Sequence, residues 1–152
     1  MDRRHFLKSA AALALAPRLF ADEPKPADDF FTVVALPDTQ YYSLSHPKHF
    51  HAQADWIVAN AEKERIAYVA HEGDLTHTNT EAEWGVADAC LAKLDGVVPY
   101  GVLCGNHDYA ENGSAKTRDA ARYNKAFPVS RYEKRAWYGG HFGDTNENSY
   151  QL

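Results

Sequence analysis

Three short clusters in this chain gather side chains that bind cations and move protons. They are Pro37-Asp38-Thr39-Gln40, Glu72-Gly73-Asp74 and Gly105-Asn106-His107-Asp108. Carboxylates, carboxamides and imidazoles are the donors that divalent metals take. Imidazole also titrates close to neutral pH, so His107 is suited to passing a proton. Gly73 and Gly105 each stand one residue before a candidate ligand. A residue without a Cβ there lets the backbone turn sharply and approach closely. The plainer alternative is turn chemistry for Asp38 and Asp74, and a hydrogen-bonded loop histidine for His107. Three other chemistries leave no trace. No Gly-rich loop with Lys, no G-x-G-x-x-G after the first strand and no G-x-S-x-G elbow occurs.

The elements that must position these clusters can be read from hydrophobic pattern. The runs 30–36 (FFTVVAL), 66–70 (IAYVA) and 97–103 (VVPYGVL) predict three strands, the first of them buried. Pro99 is tolerable near the start of the third. Between the first two, Phe50, Ala54, Ile57 and Ala61 recur at helical spacing within 49–64. Thr80 and Glu83 predict a capping box, continued by Trp84, Ala87, Leu91 and Leu94. Residues 115–127 predict a third helix, stopped by Pro128. The order βαβαβα predicts an α/β fold with a parallel sheet and helical crossovers. Ligands of open parallel sheets bind beyond the carboxyl ends of the strands. Each cluster follows a strand, so Asp38, Gln40, Asp74, Asn106 and His107 should lie along one rim.

"LPDTQ", "GDLTH" and "LCGNHD", in this order and about 30 residues apart at strand ends, resemble the first three blocks of the calcineurin-like metallophosphoesterases. The pattern there is D-x-H, then G-D, then G-N-H-[D/E]. The resemblance covers residues 30 to about 110. It implies the βαβαβ half of an α/β/β/α sandwich, two metal ions (manganese, zinc or iron) and hydrolysis of a phosphomonoester or phosphodiester. It implies that Asp38 ligates the first metal, Asp74 bridges both and Asn106 ligates the second. His107 would face the substrate phosphate and assist the leaving group.

The chain departs from that pattern in three places. Gln40 stands where histidine is usual; its carboxamide oxygen still suits a hard cation. "PDTQ" also resembles a variant of the first block in exported bacterial members. His77 stands where some members carry an acid that orients the block-three histidine. The later histidine block and the G-H-x-H block have no counterpart, since His141 is the sole histidine after His107 and lacks that setting. The resemblance therefore implies a partial domain, residues 30–152, that needs a missing C-terminal half or a partner chain. The alternative is a catalytically inactive remnant serving as a metal-binding or interaction module.

The ends and the composition bound the rest. "RRHFLK" at 3–8, the apolar run 10–16 and "LFA" at 19–21 resemble a twin-arginine export signal, so residues 1–21 are expected to be removed and the protein to be periplasmic or secreted. The apolar run is far below the roughly 20 residues of a membrane span. Residues 22–29 (DEPKPADD) read as a linker. Losing 1–21 removes four Lys/Arg and one acid from the 16 and 21 of the whole chain, leaving a net charge of about −8. That charge argues against a general nucleic-acid or anionic-membrane surface. Cys90 and Cys104, both in apolar contexts, predict buried free thiols. His46, His49 and His51 read as surface residues near a helix start. His71 and His77 are open between lining the site and ordinary roles, as are Tyr41, Tyr42 and Tyr109 between pocket walls and packing. The seven Lys/Arg of 116–135 read as a solvated helix face.

Overall fold

The computed structural model describes residues 29–110 and 115–152. The expected export signal and all but the last residue of the linker lie outside the described residues. Residues 31–152 form a mixed α/β unit. Strands β1 (Thr32–Leu36), β2 (Ile66–His71) and β3 (Tyr100–Val102) make a parallel sheet in the order β1-β2-β3. Helices α1 (Gln40–Ser45) and α2 (Pro47–Asn60) cross from β1 to β2, and α3 (Glu81–Leu91) crosses from β2 to β3. Two short helices, α4 (Ala121–Ala126) and α5 (Val129–Tyr132), follow. The chain then forms an antiparallel pair, β4 (Tyr138–His141) with β5 (Ser149–Gln151).

The register sets the site. Leu36 pairs with His71, and His71 with Val102. The three strands thus end side by side, and the three polar clusters leave from one rim. The helices are held by the stripes read in the sequence. Phe50, Ala54 and Ile57 of α2 and Trp84, Ala87, Cys90 and Leu91 of α3 are buried with Leu36, Val69, Tyr100 and Val102 of the sheet. Fully burying a side chain such as Phe50 contributes roughly 1.5–3 kcal/mol. The predicted capping box at Thr80 and Glu83 starts α3.

Three local expectations are corrected. β1 is not buried on both faces: Val33 is 55% exposed, and Phe31, just before the strand, is 70% exposed. Its run of β-formers reads as a buried strand, but only Val34 and Leu36 turn toward α2. The third strand is shorter than 97–103, beginning at Tyr100; Pro99 contributes its carbonyl, accepting from Val69 N–H, but has no N–H to give. The third helix starts at Ala121, not 115. The Asp119 carboxylate takes the Ala121 N–H at 2.9 Å, and Ala115 and Arg118 adopt left-handed backbone. A short polar side chain there wins the backbone away from the helix. The break at Pro128 is as predicted.

The basic stretch 116–135 is only partly a solvated face. Lys125 and Arg122 pair with Glu81 of α3. Arg131 turns inward. It bonds Asp88, donates to the Tyr100 hydroxyl at 2.7 Å and lies 5.0 Å from the Phe127 ring centre. It thereby clamps the two short helices onto α3 and β3.

Candidate active site at the strand-end rim

Asp38 and Asp74 share an uncommon backbone. Their φ angles are 46° and 49°, in the left-handed region. Asp tolerates this better than most residues, at a cost of order 1 kcal/mol. Both thus turn abruptly out of a parallel strand. Gly73 and Gly105 bring the second and third clusters into contact. A Cβ on Gly73 would lie 2.7 Å from Gly105 N, and one on Gly105 would lie 2.1 Å from Asp74 Oδ1. The glycines that the sequence placed before each ligand are needed for this close approach.

Polar bonds then lock the clusters. Asp74 Oδ1 accepts the His107 N–H at 3.0 Å, so Asp74 is held against the turn carrying Asn106. Asp108, fully buried, accepts from the N–H groups of Gly105 (2.9 Å), Leu75 (3.1 Å) and Thr76 (2.9 Å) and from the Thr76 hydroxyl (3.0 Å). Burial pushes its carboxyl above the usual range, while the Gly105, Thr76 and Leu75 donors oppose that push. His71 performs the matching task between the first two clusters. Its Nδ1 accepts the Gly73 N–H at 3.2 Å. Its Nε2 must then carry the proton, and it donates to Thr39 Oγ1 at 2.9 Å. The ring is 1% exposed, and burial lowers its pKa to about 4. His71 is a buried neutral connector, and the site-lining alternative is set aside.

His77 is the residue whose place the sequence left most open. Its Nδ1 lies 3.2 Å from Gln40 Oε1, which accepts, so Gln40 keeps one oxygen lone pair for another partner. Its carbonyl oxygen is 2.7 Å from His107 Nδ1. Its ring is stacked between those of Tyr41 (4.6 Å) and His107 (5.0 Å). Glu83 anchors the loop below. Its carboxylate accepts from the N–H groups of His77, Thr78 and Thr80 and from both threonine hydroxyls. Burial acts to raise the Glu83 pKa, but the Thr80 and Thr78 donors hold it below the ordinary value. The sequence showed Glu83 only as a helix cap; here the same carboxylate also shapes the site loop.

The five sequence-predicted residues are thus placed as follows. Asp38 is exposed on the rim, just before the buried Thr39, and Gln40 opens α1 against His77. Asp74, Asn106 and His107 are adjacent across the contact of Gly73 and Gly105. Sequence reasoning missed Thr39, Thr76 and Asp108 as the ties. Asp108 was visible as the last letter of its motif, but Thr39 and Thr76 gave no signal of their own.

The donor set decides what cation would suit. Two carboxylates and two carboxamides are hard oxygen ligands, matched to ions such as manganese or magnesium. Among the described residues, no group of three His, Cys, Asp or Glu is arranged to hold a metal. The donor types of the rim suit a hard, oxygen-ligated cation.

The other candidates sit elsewhere. A cavity of about 400 Å³ lies between β1 and α2, lined by Val34, Leu36, Tyr42, His49, Gln53 and Trp56. It contains none of the rim residues and no charged catalytic group, so the polar rim is the better candidate. Tyr42 walls that cavity, Tyr41 stacks on His77, and Tyr109 packs on the core. His46 and His49 are exposed, as expected. His51 is half-buried, its Nδ1 3.4 Å from Cys90 Sγ. Both cysteines are free; Cys90 is buried and Cys104 half-buried. No described helix is long and apolar enough to cross a membrane.

No family profile matches the chain. It is 38% identical over 134 residues to "Uncharacterized protein YvnB" of Bacillus subtilis (strain 168), a similarity that covers 86% of this chain and 10% of that protein. The chain thus spans about a tenth of the length of the relative it matches.

Proposed function

We propose that this chain carries the N-terminal half of a calcineurin-like metallophosphoesterase domain, exported by the twin-arginine route, and that its chemistry is hydrolysis of a phosphomonoester or phosphodiester. The observation that carries the reading is the junction of the second and third clusters. Gly73 and Gly105 touch, Asp74 holds the His107 backbone, and both clusters leave the same rim as Asp38 and Gln40. Asp38, Gln40, Asp74 and Asn106 would hold the metal ions. A metal bound there lowers the pKa of water and neutralises phosphoryl charge. His107 would supply the proton in its doubly protonated form. Its Nδ1–H is committed to the His77 carbonyl, so Nε2–H is the donor left for the leaving-group oxygen. The uncovered side of β1, with Phe31 and Val33, supports a further layer packing on this sheet, as the sandwich requires.

Gln40 and His77, which depart from the family pattern, favour a second reading, a metal-binding or interaction module without turnover. Manganese titration followed by electron paramagnetic resonance, with turnover of an aryl phosphate and an aryl phosphodiester, separates the two. Manganese binding with slow hydrolysis is expected. Binding without hydrolysis selects the metal-binding module, and no binding overturns the phosphoesterase reading.

A further inference from the structure

We propose that His77 is the positioning residue for His107, replacing by a backbone carbonyl and a ring stack what a carboxylate partner would otherwise do. The inference rests on the reading of His107 as the proton donor. A carbonyl oxygen can only accept, so the 2.7 Å contact fixes the proton of His107 on Nδ1. Free neutral histidine prefers the other tautomer, so this is a selection made by the fold. The rings of His77 and His107 are 5.0 Å apart and 17° from parallel, which removes rotation of the His107 ring out of its plane.

What keeps His77 itself in place is visible on both sides. Tyr41 covers the far face of its ring at 4.6 Å. Gln40 Oε1 holds its Nδ1, and the Glu83 carboxylate holds its backbone N–H at 3.0 Å. A bond from the first cluster, a stack from α1 and a cap from α3 thus converge on one residue. Each is passed on to His107 through a carbonyl and a ring face. An acid at position 77 would orient His107 and also add a fixed negative charge beside the phosphate. His77 orients it without that charge.

The test uses the whole chain, with histidine labelled by nitrogen-15, at a pH where its imidazoles are neutral. Long-range proton–nitrogen correlation, assigned with His107→Gln, reads the His107 tautomer. The parent is expected to show the Nδ1–H pattern. His77→Ala keeps the carbonyl but frees it from the side-chain hold of Tyr41 and Gln40, so part of the population should shift toward Nε2–H, and His77→Phe, which keeps a flat ring in the stack, should restore the parent pattern. In parallel, His77→Ala should lower kcat for an aryl phosphate about tenfold with KM and manganese content unchanged. His77→Phe should recover most of that loss. A full Nδ1–H pattern in His77→Ala, or a Phe variant as impaired as the Ala one, overturns the positioning role. If the tautomer responds while no variant hydrolyses any phosphoester, the positioning stands and the phosphoesterase reading falls.

Discussion

Asp108 takes two hydrogen bonds from Thr76, one from its N–H at 2.9 Å and one from its hydroxyl at 3.0 Å, across 32 residues of sequence. With the Gly105 and Leu75 N–H groups, this makes one buried carboxylate the fastener between the second and third polar clusters. Asp108→Ala strands those donors in the interior. Unmade buried bonds cost about 1–3 kcal/mol each and overlap when they share a partner. We expect a loss of about 3–4 kcal/mol by urea denaturation, and a smaller loss for Asp108→Asn. A change below about 1 kcal/mol would show that the loops are joined by other contacts.

His71 gives the fold an acid limit. Its pKa is lowered to about 4 from an ordinary 6.5, so the unfolded chain binds this proton first as pH falls. Stability is therefore full above about 6.5 and declines from there toward 4, by about 3 kcal/mol from this residue. Urea midpoints measured from pH 7.5 to 4 should show this slope, and His71→Asn should flatten it. An equal slope in the variant would assign the acid loss to other groups.

Two glycines offer a matched pair of substitutions. Gly105 has ordinary backbone, but a Cβ there meets Asp74 Oδ1 at 2.1 Å. Gly105→Ala should cost about 1–3 kcal/mol by overpacking and should weaken manganese binding by displacing Asp74. Gly85, inside α3, has nothing within 4 Å of its would-be Cβ. Gly85→Ala should stabilise by about 0.5–1 kcal/mol through helix propensity and leave metal binding alone. Thermal melts and manganese titrations of the two proteins check both halves.

Asp74 and His107 should separate binding from chemistry. Asp74→Ala removes the carboxylate proposed to hold metal and the acceptor of the His107 N–H. Manganese affinity and turnover should fall together. His107→Ala should leave manganese binding largely unchanged and lower the rate about 10²- to 10⁴-fold, as expected for an acid–base group. Equal metal loss in the two variants would make His107 a ligand instead of a proton donor.

The sequence by itself determined the parts of this protein that depend on near neighbours. Strand runs, the α2 stripe, the Thr80–Glu83 capping box and the Pro128 stop are all decided within a few residues; the stripe, the cap and the stop are where they were expected, and the strands fall on the three runs. It also placed three polar clusters at three strand ends, because a parallel sheet brings such ends to one rim whatever its details. The failures have local causes as well. Asp119 captured a helical N–H, and Pro99 shortened a strand. The tertiary structure alone decided how the rim is fastened. Thr39 meets His71, Thr76 meets Asp108 and His77 meets His107 only once Leu36, His71 and Val102 are in register. These pairs are about 30 residues apart, and no periodicity links them. A hydrogen bond is worth making in the interior only when packing has excluded water from both partners. That exclusion belongs to the assembled sheet and helices, so residue types could suggest the ligands but not the ties that hold them.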